Sequence, residues 1–198
     1  MEESWGKRAA TGQAAWLRWR IQVGLIGFVA ALVVSGLTAF PLVWEVTLLQ
    51  RWLGASSALG PLWPALAAWI DLVARGLLDT QRQYPFLFYG TDWLAFAHLV
   101  IALAFWGPLR DPVRNVWVVE FAMLACVLIV PMVLIFGPLR GIPPFWRVLD
   151  AAFGVVGLLP LAWVRRDIHR LERLAAHPAP VADAPTVPRP TAKTSAAP

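Results

Sequence analysis

Apolar residues dominate four stretches of the chain, 21–44, 89–109, 116–137 and 148–164, and polar residues collect in the segments between them. A helix of ~20 residues crosses the ~30 Å hydrocarbon core of a bilayer, and each stretch comes near that length. In lipid the backbone must satisfy its own N–H and C=O groups, so all four are predicted to be helices. The long connection 45–88 is semi-apolar. Pro61 and Pro64 break it, and 63–79 then reads as an amphipathic helix. Asp71, Arg75 and Asp79 recur every fourth residue as one charged stripe, with Trp69, Ile70, Val73 and Leu77 largely off it. Such a helix lies along the outer membrane surface or folds over the bundle as a lid. As a fifth span it would carry Asp71 and Arg75 near the bilayer centre, at ~2.5–3.5 kcal/mol each. The predicted fold is an all-α membrane protein, a four-helix transmembrane bundle with an outer interfacial amphipathic helix.

Composition agrees with that pattern. Of 198 residues, 59% are hydrophobic and only 15% charged, outside the range of ordinary soluble domains. Four spans leave little chain for a soluble catalytic domain. The net charge of +5 sits at the span ends, so the expected partner is the lipid bilayer and not nucleic acid. The single cysteine, Cys126, lies within the third stretch and allows no intramolecular disulfide. Residues 1–20 are a basic leader. The apolar run behind them exceeds the ~7–15 residues of a cleaved signal, so the first span is expected to stay.

Arginine and lysine set the expected orientation. With the N-terminus cytoplasmic, inner segments hold Lys7, Arg8, Arg18, Arg20, Arg110, Arg114, Arg165, Arg166, Arg170 and Arg173, against Arg51, Arg75, Arg82, Arg140 and Arg147 outside. This bias predicts that both termini are cytoplasmic. Trp16, Trp19, Trp106, Trp117 and Trp163 then mark the inner interface, and Trp44, Trp93 and Trp146 the outer one. Residues 165–198 read as a basic helix end followed, from His177, by a disordered Pro/Ala-rich tail.

Within the spans, two faces of small residues suit close helix packing. One is Gly27, Ala31, Ser35 and Ala39 at strict fourth-residue spacing, and the other is Asp150, Ala151, Gly154 and Gly157. His98 lies near the middle of the second span, on a stripe with Thr91, Ala95 and Ala102. Lipid offers its ring nitrogens no partner, so it faces the protein, either as a proton-relay or ligand residue or as one interhelical hydrogen bond. Asp92, Glu120 and Asp150 accompany it. They form a polar ladder with His98, or they serve as helix-end and ion-pair residues, Asp150 pairing with Arg147 three residues before it. Tyr84, Tyr89, Asp92, Arg140, Arg147 and Asp150 share one level and form a candidate outer mouth for an anionic headgroup or small acid. The quartet Gly107-Pro108-Leu109-Arg110 recurs as Gly137-Pro138-Leu139-Arg140, either an inverted echo or two ordinary helix ends. No phosphate-binding glycine loop, paired-cysteine or histidine metal spacing, or nucleophile elbow is present, so neither cofactor nor metal is expected.

The run from Tyr84 to His98 (Tyr-Pro-Phe-Leu-Phe-Tyr-Gly-Thr-Asp-Trp-Leu-Ala-Phe-Ala-His), with Arg-Gly-Ile-Pro-Pro-Phe-Trp-Arg at 140–147, resembles a group of small bacterial four-span inner-membrane proteins. That resemblance implies the membrane setting and no activity. In outline the chain is also similar to sterol-isomerase-like membrane proteins, whose specific motifs do not line up with it. Three functions remain open. The chain is a binding or accessory protein or small transporter for a small amphipath or proton, acting through Asp92, His98 and Asp150. Alternatively it is a membrane enzyme using His98 and an acid on a lipid-like substrate. The third is a structural subunit, homo-oligomeric or in a membrane complex, held by the Gly27–Ala39 face.

Overall fold

The computed structural model describes residues 2–176, with side chains from Gly12 onward. Its regular structure among the described residues is helical: α1 (Glu2–Ala39), α2 (Leu42–Leu53), α3 (Pro64–Gln83), α4 (Phe88–Ala104), α5 (Trp106–Arg110), α6 (Val116–Leu139) and α7 (Pro144–Ala176). Four segments are long and apolar enough to cross a membrane: Gly12–Ala39, Pro85–Arg110, Val116–Leu139 and Pro144–Ala176. The expected tail from His177 lies outside the described residues.

The first apolar run does not reach residue 44 as one helix. Pro41 has no N–H to donate and its ring disfavours the helical conformation of Phe40, so α1 stops at Ala39 and the chain turns before α2. Pro64 occupies the first turn of α3, where its missing N–H costs nothing, and α3 runs on to Gln83, one turn beyond the expected helix. α2 and α3 pack on each other as a hairpin. Gln50 Nε2 and the Ala55 N–H both donate to the Asp71 carboxylate, at 2.9 and 3.1 Å. Asp71 is thus the brace of this hairpin and not only one residue of a solvated stripe. These bonds, Gln50 first and Ala55 second, hold the Asp71 carboxyl below the usual carboxylate range, with Arg75 adding a smaller push.

In the bundle, α1 and α7 pack centrally. α4 lies against the outside of α1 and α6 against the outside of α7, while α4 and α6 share no interface of similar extent. Where α1 begins and α7 ends, here the terminal end, the helices close tightly. Leu17, Ile21 and Leu25 of α1 meet Phe105, Val118, Val119, Leu161, Val164, Ile168 and Leu171 in one buried cluster. Gly24 permits this approach, because a Cβ there would sit 2.5 Å from Val164 Cγ2. Asp167, 2% exposed, takes Arg20 Nε at 3.1 Å and faces Arg170 Nη1 at 3.5 Å. The Arg20 guanidinium lies 4.3 Å from the ring centroids of both Trp16 and Trp163, so charge pairing and two cation–π contacts fix one side chain. Arg165 Nε donates to Glu120 Oε1 at 2.8 Å and ties α7 to α6.

At the opposite, hairpin end, α6 and α7 stay in contact. A Cβ on Gly154 would meet the Cys126 carbonyl oxygen at 2.5 Å, one on Gly157 would lie 3.2 Å from Cys126 Sγ, and Arg147 lies directly over Gly137. α4 approaches α1 through Gly36, where a Cβ would lie 3.0 Å from Ala95 O and 3.1 Å from His98 Cβ. The expected Gly27, Ala31, Ser35 stripe makes no such contact. All three residues are exposed, and a Cβ on Gly27 would meet nothing within 4 Å. Gly24 and Gly36, off that stripe, are the glycines of α1 that lie close against neighbours among the described residues. The stripe lies on the side of α1 where α6 and α7 have drawn away.

The two ends also differ in charge. Among residues 12–176 the terminal end holds Arg18, Arg20, Arg110, Arg114, Arg165, Arg166, Arg170 and Arg173 against Asp111, Glu120, Asp167 and Glu172, eight minus four, or +4 with histidine neutral. The hairpin end holds Arg51, Arg75, Arg82, Arg140 and Arg147 against Glu45, Asp71, Asp79, Asp92 and Asp150, five minus five, or zero.

Candidate functional site

The divergence of α1 from α6 and α7 opens a cavity of about 940 Å³. Its volume is near the top of the ~300–1,000 Å³ range of small-molecule sites. The walls are mostly apolar. α1 contributes Phe28, Leu32 and the Gly27, Ala31, Ser35 stripe; α6 contributes Ile129, Met132 and Phe136; α7 contributes Phe153, Val156 and Pro160. The polar groups on this wall are few: Ser35, His98, Arg140 and Asp150. Such a composition holds an apolar body by shape and orients it through a small number of polar contacts.

His98 is the residue through which α4 reaches the cavity. Its Nδ1 lies 2.8 Å from the carbonyl oxygen of Leu94, one turn earlier on the same helix. A carbonyl can only accept, so Nδ1 donates in that bond and Nε2 is left for another partner. Among the described residues nothing else bonds the ring, so the interhelical hydrogen bond allowed by the sequence is replaced by a bond within α4.

Asp150 and Arg140 border the same cavity, and neither makes an ion pair among the described residues. The expected Arg147–Asp150 pair is not formed. Arg147 instead turns across Gly137 on α6, where its Nε is buried without an acceptor. Beside it, Trp146 stacks at 6.4 Å against Trp69 of α3, whose buried Nε1 also lacks an acceptor. That ring contact seats the α2–α3 hairpin on the start of α7, next to the cavity end that holds Arg140 and Asp150.

The other candidates lie elsewhere. Glu120 is committed to Arg165 at the terminal end, so no ladder runs through it. Asp92 is half-buried and makes no hydrogen bond or ion pair among the described residues, and it does not line the cavity. Tyr84 and Tyr89 are exposed and pack edge-to-face against Phe86 and Trp93 at 6.3 and 6.0 Å, so the two tyrosines do not join the arginines in one mouth. His98 and Asp150 share the cavity without touching, which leaves no acid–base pair preassembled by direct contact. No group of three or more His, Cys, Asp or Glu side chains that could hold a metal occurs among the described residues.

Sequence reasoning overlooked the cluster around Asp167. Its signal was present in the spacing, since Trp16 and Arg20, and Trp163 and Asp167, are i, i+4 pairs on single helix faces. Comparison with protein-family models, with curated proteins and with solved structures finds no match to this chain.

Proposed function

We propose that this chain is a multi-pass protein of a bacterial inner membrane that binds a small single-chain amphipath between its helices. The apolar part of the ligand fills the cavity, and its polar end meets Asp150, Arg140 and His98. Binding of this kind is the step shared by an accessory protein and a small transporter. Support for membrane insertion comes from four apolar helices of spanning length and from large side chains such as Leu103, Leu134, Leu139, Val148 and Leu159 directed outward. Apolar surface on that scale has no counterpart in water-soluble monomers. The +4 terminal end against the neutral hairpin end supports cytoplasmic termini. The α2–α3 hairpin then lies at the outer surface beside the polar end of the cavity.

The observation that carries the binding reading is the cavity itself, with the Asp150 carboxylate, the Arg140 guanidinium and the His98 Nε2 on its wall without a partner among the described residues. Polar groups in such surroundings are expected to be bonded, and intramembrane ionisable residues mark pathways and ligands. A dansyl-labelled fatty acid titrated into the purified full chain tests it. Gly27→Leu places a side chain in open space inside the cavity and is expected to weaken binding by about tenfold or more, with unchanged thermal unfolding. Undiminished affinity in Gly27→Leu would remove the cavity from the account. Arg140→Gln weakening the acid probe, and Asp150→Asn weakening an alkylamine probe, would assign the headgroup contacts.

A further inference from the structure

The end of α7 carries a second concave site, separate from the cavity and independent of what the cavity binds. Arg165, Arg166, His169, Arg170 and Arg173 surround a cleft of about 410 Å³. Arg166, Arg170 and Arg173 follow at i, i+4 and i+7, so one helix face carries all three. Carboxylates already pair with three of the five residues. Glu120 engages Arg165, Glu172 engages His169, and Asp167 is shared between Arg20 and Arg170. Arg166 is exposed and has no hydrogen bond or ion pair among the described residues. Every basic residue here is arginine or histidine, and the planar guanidinium fork matches phosphate oxygens two at a time.

The cleft's position selects the kind of phosphate. Trp163 precedes Arg166 by one helical turn and is exposed, as are Trp16, Trp19, Trp106 and Trp117 at the same end. Exposed tryptophans of this kind settle at headgroup depth. Before them, α7 presents Val155 and Leu159 outward, Leu159 lying ~10 Å along the axis from Arg166. A lipid whose tails lie along that apolar face therefore has its phosphate at the level of the cleft. We propose that the Arg165–Arg173 cleft is a binding site for the phosphate headgroup of an anionic phospholipid, and that Arg166 is its principal unengaged contact. The site rests on the membrane setting only. Failure of amphipath binding in the cavity would leave it standing.

The full chain is reconstituted in phosphatidylcholine containing a minor fraction of phosphatidylglycerol, and the lipid retained on release is counted by native mass spectrometry. Wild type is expected to retain phosphatidylglycerol over phosphatidylcholine. Arg166→Gln is expected to cut that retention by about fivefold or more, through loss of a direct charge-assisted contact to the phosphate. Arg114→Gln, an equal charge change at the same end outside the cleft, lacks such a contact and is expected to alter it by less than about twofold. Equal loss in the two variants would reduce the effect to diffuse surface charge and overturn the site. So would a wild type with no preference between the lipids. Displacement of the bound lipid by millimolar glycerol phosphate would make the cleft a soluble-phosphate site and overturn the lipid assignment.

Discussion

Around Leu17, Ile21 and Leu25, α1 is enclosed by α5, α6 and α7, and Arg20 and Asp167 pair there, as do Arg165 and Glu120. Further along the same helix, Gly27, Ala31 and Ser35 face the cavity, and Asp150 and Arg140 across from them form no ion pair among the described residues. One helix thus serves as a packed strut at one end and as a cavity wall at the other. Sequence pattern alone does not tell the two apart. Both stretches are apolar with small residues interspersed, and the difference lies in where α6 and α7 stand relative to α1. A small-residue stripe permits close packing, yet it equally leaves room, and the neighbouring helices decide which.

The comparison breaks most readily at the terminal end. Arg20→Ala leaves a carboxylate that is 2% exposed with Arg170 at 3.5 Å as its remaining cation, and removing one partner of a buried ion pair costs up to ~3–5 kcal/mol. A large fall in thermal unfolding temperature, followed by tryptophan fluorescence, is the expected result. Replacing both partners, Arg20→Met with Asp167→Leu, is expected to recover most of it, because no lone charge then remains. Next in size is a contrast three residues apart on α1. Gly24→Leu forces a side chain against Val164 and is expected to destabilise by ~1–3 kcal/mol, whereas Gly27→Leu enters open space and is expected to change stability by less than ~0.5 kcal/mol. Equal destabilisation by the two would mean that the cavity is closed in solution.

The smallest effect concerns the hairpin. Asp71 has a folded-state pKa lowered from its ordinary 3.8, so its contribution is fully present above that value. It is lost as pH falls below 3.8 through the lowered folded value. Hydrogen exchange in α2 and α3 is therefore expected to accelerate only at such acidity, and Asp71→Asn is expected to flatten that dependence. Acceleration already near neutral pH would assign the hairpin's stability to another group.

The four long apolar helices were legible because continuous hydrophobicity over ~20 residues is a strong signal that tertiary context rarely overrides. The break after Ala39 was not, since a proline within an apolar run can kink a helix or end it, and the run from Phe40 to Trp44 stays apolar through it. Of the candidate polar residues, His98, Arg140 and Asp150 border one cavity. Depth along the membrane could place Arg140 and Asp150 at one level, with His98 nearer the middle of its span. It could not say that Tyr84 and Tyr89 point away, that Arg147 crosses to Gly137, or that Glu120 is held by Arg165, because those outcomes depend on helix rotation and on neighbours distant in sequence. Gly154 and Gly157 meet Cys126 across the α6–α7 contact, while Gly27 meets nothing, although all three fit the same small-residue rule.

The most direct test of the open half is native mass spectrometry of the full chain extracted from its membrane, wild type beside Gly27→Phe. The account predicts that wild type emerges with one small amphipath bound, and that Gly27→Phe emerges empty at an unchanged unfolding temperature. Equal occupancy in the two proteins, or a variant that loses stability in place of ligand, would contradict it.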